Sequence, residues 1–201
     1  MKKILLLTLT AALLAACGND EDTTSNTDSN KDGTEEVEKT KEKTKENAIG
    51  TRSNPVPVGQ THTVKQAIYD DNSDSYNATV DITISDVTRG EEVYKKALEM
   101  NEFNEAPQEG YEYVAFKVDA TVKDAETQDF ALFISDTDFN FISKDGSPYE
   151  YASIVYEPVL SANVYAGGST SGYVVGQVKV GDEVQVVYED ADFKNVFFSI
   201  K

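Results

Sequence analysis

Apolar and polar residues alternate along two segments of this chain, residues 76–87 and 112–122. The alternating apolar positions are Ala78, Val80, Ile82 and Ile84 in the first segment and Val114, Phe116, Val118, Ala120 and Val122 in the second. Side chains of a β-strand point to opposite faces in turn, so this period of two indicates strands with one face against a core. The chain is therefore predicted to be mostly β.

Further segments have a strand-like composition and are separated by turn sequences. We predict them at 129–135, 138–143, 149–156, 160–165, 172–180, 183–189 and 193–200, after an early strand that begins near Gly59. The turn sequences are "KDGSP" (144–148), "AGGSTSG" (166–172), "VGDE" (180–183) and "EDAD" (189–192). Eight or nine short strands with such turns are typical of a β-sandwich.

One segment, "GEEVYKKALEMNEF" (90–103), has a helical period instead. Val93, Ala97 and Met100 fall on one face of the predicted helix, and two glutamates lie in its first turn, where the helix dipole favours them. We predict a short helix that connects two strands.

The first residues have the layout of a secretory signal. Lys2 and Lys3 precede an apolar run, Ile4 to Leu14, which is shorter than the roughly 20 residues that a membrane-spanning helix needs. Leu14-Ala15-Ala16-Cys17 then matches the lipobox of bacterial lipoproteins. That match implies cleavage after residue 16 and a diacylglyceryl group, with its palmitate-type chains, on the sulfur of Cys17. The alternatives are an ordinary signal peptide with a chance cysteine and a buried core cysteine.

Residues 17–52 follow as a polar segment rich in Asp, Glu, Lys, Thr, Ser and Asn. Such a composition cannot bury enough apolar surface to offset the entropy of ordering, so we predict a disordered tether. The tether is either a spacer through the cell envelope or a tail that only aids solubility. The predicted organisation is a signal peptide (1–16), a lipidated cysteine and tether (17–52) and one folded domain (53–201), held on the extracytoplasmic face of the cell membrane.

The folded part is strongly acidic. From Thr51 onward there are 26 acidic and 11 basic residues, a net charge of −15. Nucleic acid requires a basic face, and so does an anionic membrane surface. The charge therefore argues against both as partners of the domain.

Several motifs resemble a family of bacterial lipoproteins. They are "APQEGYEYVAFKV" (106–118), "FISKDGSPYE" (141–150), "VYAGGSTSGYVV" (164–175) and "VYEDADF" (187–193). The resemblance implies a telokin-like, immunoglobulin-like β-sandwich of unassigned function, similar in fold to the mycobacterial immunoprotective extracellular protein family. It supplies no catalytic residues. Gly176 departs from the family, in a strand where a large apolar residue is usual, and indicates either a gap or a close backbone approach.

No catalytic constellation is recognisable in the sequence. His62 is the only histidine, and a lone histidine near a domain start is more often a surface residue than a catalytic base. Zinc, copper or haem sites are not expected with one histidine and no thiol left after lipidation. We therefore expect no enzyme activity and no cofactor. The alternative is a carboxylate-based cell-envelope hydrolase, because a pair of acids can cleave glycosides.

Calcium is the one metal that the sequence suggests. In "DDNSDSYNATVD" (70–81) Asp70, Asn72 and Asp74 have the spacing that opens an EF-hand loop, but the glycine at the sixth position is missing. The alternative is a solvated acidic loop.

Eleven tyrosines give the sequence its other distinctive feature. Eight of them lie between predicted strands and turns: Tyr111, Tyr113, Tyr149, Tyr151, Tyr156, Tyr165, Tyr173 and Tyr188. Tyrosine suits recognition surfaces because it offers a rigid ring with a polar tip, although sandwiches also use it at strand edges. The hypothesis is a non-catalytic binding module, whose partner is an envelope or extracellular protein or a wall component.

The lipobox generates a direct prediction. The protein extracted from membranes should lack residues 1–16 and begin with an acylated Cys17, which mass spectrometry of the N-terminal peptide would detect. Cys17→Ser should release the protein into the soluble fraction, because two acyl chains are needed for stable anchoring. Tight, detergent-dependent membrane association of Cys17→Ser would mean either that the assignment is wrong or that the uncleaved signal acts as the anchor.

Overall fold

The computed structural model describes residues 48–201, and within this range the chain forms nine strands, one α-helix and one 3₁₀ turn. The strands are β1 (Thr61–Tyr69), β2 (Ser75–Arg89), β3 (Tyr111–Ala125), β4 (Leu132–Ser135), β5 (Phe139–Ile142), β6 (Ser161–Val164), β7 (Ser169–Lys179), β8 (Gln185–Glu189) and β9 (Asn195–Ser199). The helix is α1 (Glu91–Met100), and the 3₁₀ turn covers Asp136–Asp138. No helix in the described range is long and apolar enough to cross a bilayer. Cys17, the predicted signal peptide (1–16) and tether residues 17–47 lie outside this range.

The strands form two layers around a common core. The first sheet has the order β1-β2-β3-β7 and the second has the order β5-β8-β9, while β4 pairs with β6. All of these pairings are antiparallel. The core contains buried side chains from every strand. The predicted β-sandwich with one short helix is confirmed.

The alternating residues of β2 and β3 form the centre of this core. Val80, Ile82 and Ile84 are each at most 1% exposed. On β3, the ring of Phe116 lies 5.6 Å from that of Phe141 in β5 and is one of the contacts between the two layers. Burial of each such side chain contributes on the order of 2 kcal/mol to folding.

Helix α1 covers part of the outer face of the first sheet. Val93 and Ala97 pack with Tyr113 and Ala115 in a second, smaller cluster, which explains why these two β3 residues interrupt the polar alternation. The helix ends at Met100 rather than at 103, because the Asn104 side-chain nitrogen donates to the Ala97 carbonyl at 2.8 Å and satisfies the helix end.

The strand predicted at 149–156 is wrong. This segment is irregular, and its Tyr151 makes only an isolated bridge to Gly176. Farther along, the backbone N–H of Val155 donates to the Asn104 side-chain oxygen, and the Val155 carbonyl accepts from the Asn104 side-chain nitrogen, both at 2.8 Å. A side chain therefore satisfies the backbone groups that a neighbouring strand would otherwise pair.

The packed chain also begins upstream of the predicted boundary at residue 53. Gly50 is buried, and its carbonyl accepts a hydrogen bond from the Phe197 N–H at 2.9 Å. Val56 then bridges Phe198 in parallel. Residues that the composition assigned to the tether thus line the outer edge of β9.

Two glycines on the inner face of β7 permit close approaches. A Cβ at Gly176 would lie 2.6 Å from the Phe141 ring, so the position that departs from the family is filled by this aromatic side chain and is not a gap. A Cβ at Gly172 would lie 2.4 Å from the backbone nitrogen of Leu160. The Leu160 N–H donates to the Tyr173 carbonyl at 3.2 Å, which holds the 158–160 segment against β7.

Gly172→Ala should therefore destabilise the fold. The added methyl meets backbone atoms, which cannot rotate away, so we expect a loss of about 3 kcal/mol, the upper end for overpacking. Urea unfolding measures this loss. Ser171→Ala, at an exposed neighbouring position, is the control and should change stability by less than about 0.5 kcal/mol. Equal stability of Gly172→Ala and the parent protein would contradict the close approach.

Candidate functional site

A groove on one side of the sandwich is built around residues 148–151. Pro148 bridges Ile142 at the end of β5, and Tyr151 bridges Gly176 in β7. The Tyr149 N–H donates to the Phe141 carbonyl at 2.9 Å. The segment therefore crosses from one sheet to the other and carries two tyrosines across the open side.

Carboxylates hold both phenol groups in place. The Tyr149 hydroxyl donates to Asp182 Oδ2 at 2.5 Å and accepts from the Lys179 N–H at 3.3 Å. The Tyr151 hydroxyl donates to Asp136 Oδ2 at 2.7 Å. Burial and the bond to Asp182 raise the pKa of Tyr149 to about 12, and the bond to Asp136 together with burial raises the pKa of Tyr151 to about 12. Both phenols consequently stay protonated at alkaline pH values at which a free tyrosine would ionise.

Two adjoining cavities flank this segment and share Tyr149, Glu150 and Tyr151 in their walls. The larger has a volume of about 420 Å³, and its other lining residues are Gln108, Tyr111, Ser143, Asp145, Ser147, Pro148, Gln177 and Lys179. The smaller has a volume of about 240 Å³, and its other lining residues are Asp136, Thr137, Phe139, Asn140, Phe141, Val174 and Val175. We call the two cavities together the tyrosine groove, with a polar half and an apolar half.

The chemistry of the tyrosine groove suits binding. Tyr151 is 65% exposed while its hydroxyl is fixed, so an aromatic face is held open to a ligand. Side-chain amides, hydroxyls and carboxylates in the walls can exchange hydrogen bonds with a polar ligand. Asp145 remains ionised because the Ser143 hydroxyl and the Ser147 N–H donate to it and lower its pKa to about 2.

The calcium candidates form a compact turn. Asp70 Oδ1 accepts from the N–H groups of Asn72 at 2.8 Å and Asp74 at 2.9 Å. The Tyr76 hydroxyl donates to Asp70 Oδ2 at 3.4 Å. Within residues 48–201, no group of three or more His, Cys, Asp or Glu residues is placed to hold a metal ion. Calcium binding by Asp70, Asn72 and Asp74 stays a prediction.

His62 and Asp138 are the two residues that acid–base chemistry would recruit first. The His62 ring is half-buried against Phe198, at 6.4 Å between centroids. Burial raises the pKa of Asp138, whose Oδ2 accepts from the Ser135 N–H at 2.9 Å. Asp138 does not line either half of the tyrosine groove.

The eight tyrosines singled out in the sequence separate into different roles. Tyr113, Tyr156 and Tyr188 are each only 4% exposed and belong to the interior. Tyr111 and Tyr149 line the groove and are half-buried, while Tyr151 and Tyr165 are exposed. Tyr173 is half-buried and packs against the smaller cluster under helix α1. No sequence pattern pointed to Asp136 and Asp182, which lie 15 and 33 residues from the phenols that they hold.

No family model and no curated protein matches the chain. Among solved structures, the chain is similar to the putative lipoprotein ycdA of Bacillus subtilis, with 15% identity and a TM-score of 0.44. The match covers 59% of this chain and 35% of the ycdA chain, so this chain spans about a third of ycdA. It is also similar to the secreted protein MPT63 of Mycobacterium tuberculosis, with 11% identity and a TM-score of 0.39 over 73% of this chain and 98% of that one. These are the two kinds of protein that the sequence resemblance named. Both TM-scores are below 0.5, so no functional residue is transferred from either protein.

Proposed function

We propose that this protein is a lipid-anchored, extracytoplasmic binding module without catalytic activity, which captures an envelope or extracellular protein or a wall component. The observation that carries the proposal is the tyrosine groove, where Tyr149 and Tyr151 are held by Asp182 and Asp136. A rigid aromatic wall lowers the entropy lost on binding, because its side chains are already fixed. The lipobox at Cys17 supports location at the membrane.

The distribution of acids favours binding over hydrolysis. A carboxylate hydrolase needs an acid with a raised pKa that faces its substrate. Asp138 has such a pKa, but it lies outside the groove walls, and one of its oxygens accepts a backbone hydrogen bond. In the groove itself, Asp145 is held ionised.

Tyr151→Ala tests the groove. We expect affinity for purified cell-wall sacculi or envelope membranes to fall about tenfold, because the variant removes an exposed ring that contributes on the order of 1–2 kcal/mol at an interface. Tyr151→Phe keeps the ring and loses only the bond to Asp136, so it should retain most of the affinity. Tyr165→Ala, which removes a 55% exposed tyrosine away from the groove, is the matched control and should bind like the parent protein.

Two results would contradict the proposal. One is unchanged co-sedimentation of Tyr151→Ala with both sacculi and envelope membranes, which would exclude the groove as the contact. The other is release of reducing sugar ends from sacculi by the parent protein, abolished by Asp136→Asn or Asp138→Asn, which would establish a hydrolase.

A further inference from the structure

A second cleft, separate from the tyrosine groove, gathers positive charge on an acidic protein. It has a volume of about 950 Å³, and its lining includes Arg52, Lys144 and Lys201. Glu183 is the only acidic side chain among its lining residues. From Thr51 onward the chain has 11 basic residues against 26 acidic ones, so the grouping of three basic residues here runs against the composition.

The guanidinium of Arg52 is positioned by the backbone. Its Nη2 donates to the Lys144 carbonyl at 2.9 Å. The group lies close to Gly146, where a Cβ would be 2.9 Å from Nη2 and 3.1 Å from Cζ. The Gln185 side chain donates to the Arg52 carbonyl at 2.9 Å and fixes the main chain at the same point. The Lys144 carbonyl thus orients the exposed Arg52 side chain at the cleft.

Glu183 holds the two lysines at the cleft. Its Oε2 lies 2.9 Å from Lys144 Nζ, and its Oε1 lies 2.7 Å from Lys201 Nζ. Hydrogen bonds from Lys201 and Lys144 lower the pKa of Glu183 to about 2, so it is ionised at neutral pH. Among the side chains that line the cleft, one carboxylate thus faces three cationic groups.

We propose that this cleft binds a phosphate group, with Arg52 as the oriented donor and Lys144 and Lys201 as partners that turn from Glu183 to the anion. The planar guanidinium presents parallel N–H groups that match two phosphate oxygens, and lysine adds a mobile point charge. Gln185 and Ser199 supply further polar atoms in the walls. The phosphate belongs either to a soluble phosphate compound or to a lipid headgroup.

The protein contains a matched cluster that separates specific binding from general attraction. Asp192 also holds two lysines, with its Oδ2 at 3.3 Å from Lys65 Nζ and 2.8 Å from Lys194 Nζ. The two arginines of residues 48–201 bond elsewhere, Arg52 to Lys144 and Arg89 to Glu112 and Asp182. None of the three residues of this cluster lines the cleft. If a pair of lysines were sufficient for phosphate binding, both clusters would bind phosphate equally. Our proposal requires phosphate binding at the cleft only.

Calorimetric titration of the full-length protein in non-ionic detergent with inorganic pyrophosphate tests the site. Arg52→Gln should weaken binding about tenfold, the loss of one strong charge-assisted contact, and Arg52→Lys should recover only part of it. Glu183→Gln should tighten binding about threefold, because it removes the competing carboxylate. Lys194→Ala and Asp192→Asn should leave the affinity unchanged, and melting temperatures would verify that each variant is folded.

A second titration distinguishes the two sources of phosphate. Dihexanoyl phosphatidylglycerol is added to the same solution, with dihexanoyl phosphatidylcholine as the control for partition into micelles. Arg52-dependent binding of the glycerol lipid would support a headgroup ligand, and binding of pyrophosphate alone would support a soluble one. No Arg52-dependent binding of either probe would overturn the proposal, as would an equal loss of affinity in Lys194→Ala.

Discussion

The ring of Phe141 lies against the backbone of Gly176, and this contact sets how β5 meets β7. Any Cβ at Gly176 would come within 2.6 Å of the ring, so the two layers approach here as closely as they do because one of them carries no side chain. The Phe141 carbonyl accepts a hydrogen bond from the Tyr149 N–H. This bond positions the start of the 149–151 segment, which crosses from one sheet to the other. Tyr151 reaches the far side and bridges Gly176 itself. The tyrosine groove therefore depends on a core contact, and a larger residue at Gly176 would displace both.

The turn between β5 and Tyr149 gives the two candidate sites a common support. Lys144 lines the cleft that contains Arg52 and Lys201, and the next residue, Asp145, lines the polar half of the tyrosine groove. Gly146 has a φ of 93°, which keeps the turn tight and leaves space for the Arg52 guanidinium. Adjacent residues with opposite charge thus belong to different sites. A change in this turn would act on both, so single substitutions on its two sides are needed to separate them.

The elements with a strong local pattern were predictable from the sequence. β2 and β3 followed from alternation, and α1 followed from its helical period and its two initial glutamates. The 149–156 segment misled because its aromatic and β-branched residues favour a strand, whereas its partners are a side chain and isolated bridges. Tyr113 shows a second limit of sequence-based prediction. The strand pattern alone does not tell whether Tyr113 faces solvent, because its burial depends on helix α1, which packs on it. The candidate sites were still less accessible to sequence reasoning, because Arg52 and Lys144 are separated by 92 residues.

The acidity of the domain and a phosphate site in its cleft are compatible because electrostatic fields are short-ranged in salt. At physiological ionic strength the Debye length is about 8 Å, so an anion in the cleft interacts with Arg52, Lys144, Lys201 and Glu183 far more strongly than with carboxylates on the opposite layer. The net charge of −15 acts mainly on approach, where it disfavours large polyanions that would cover much of the surface. A single phosphate group makes no such contact. The same charge that argues against nucleic acid is therefore compatible with binding of a small anion in the cleft.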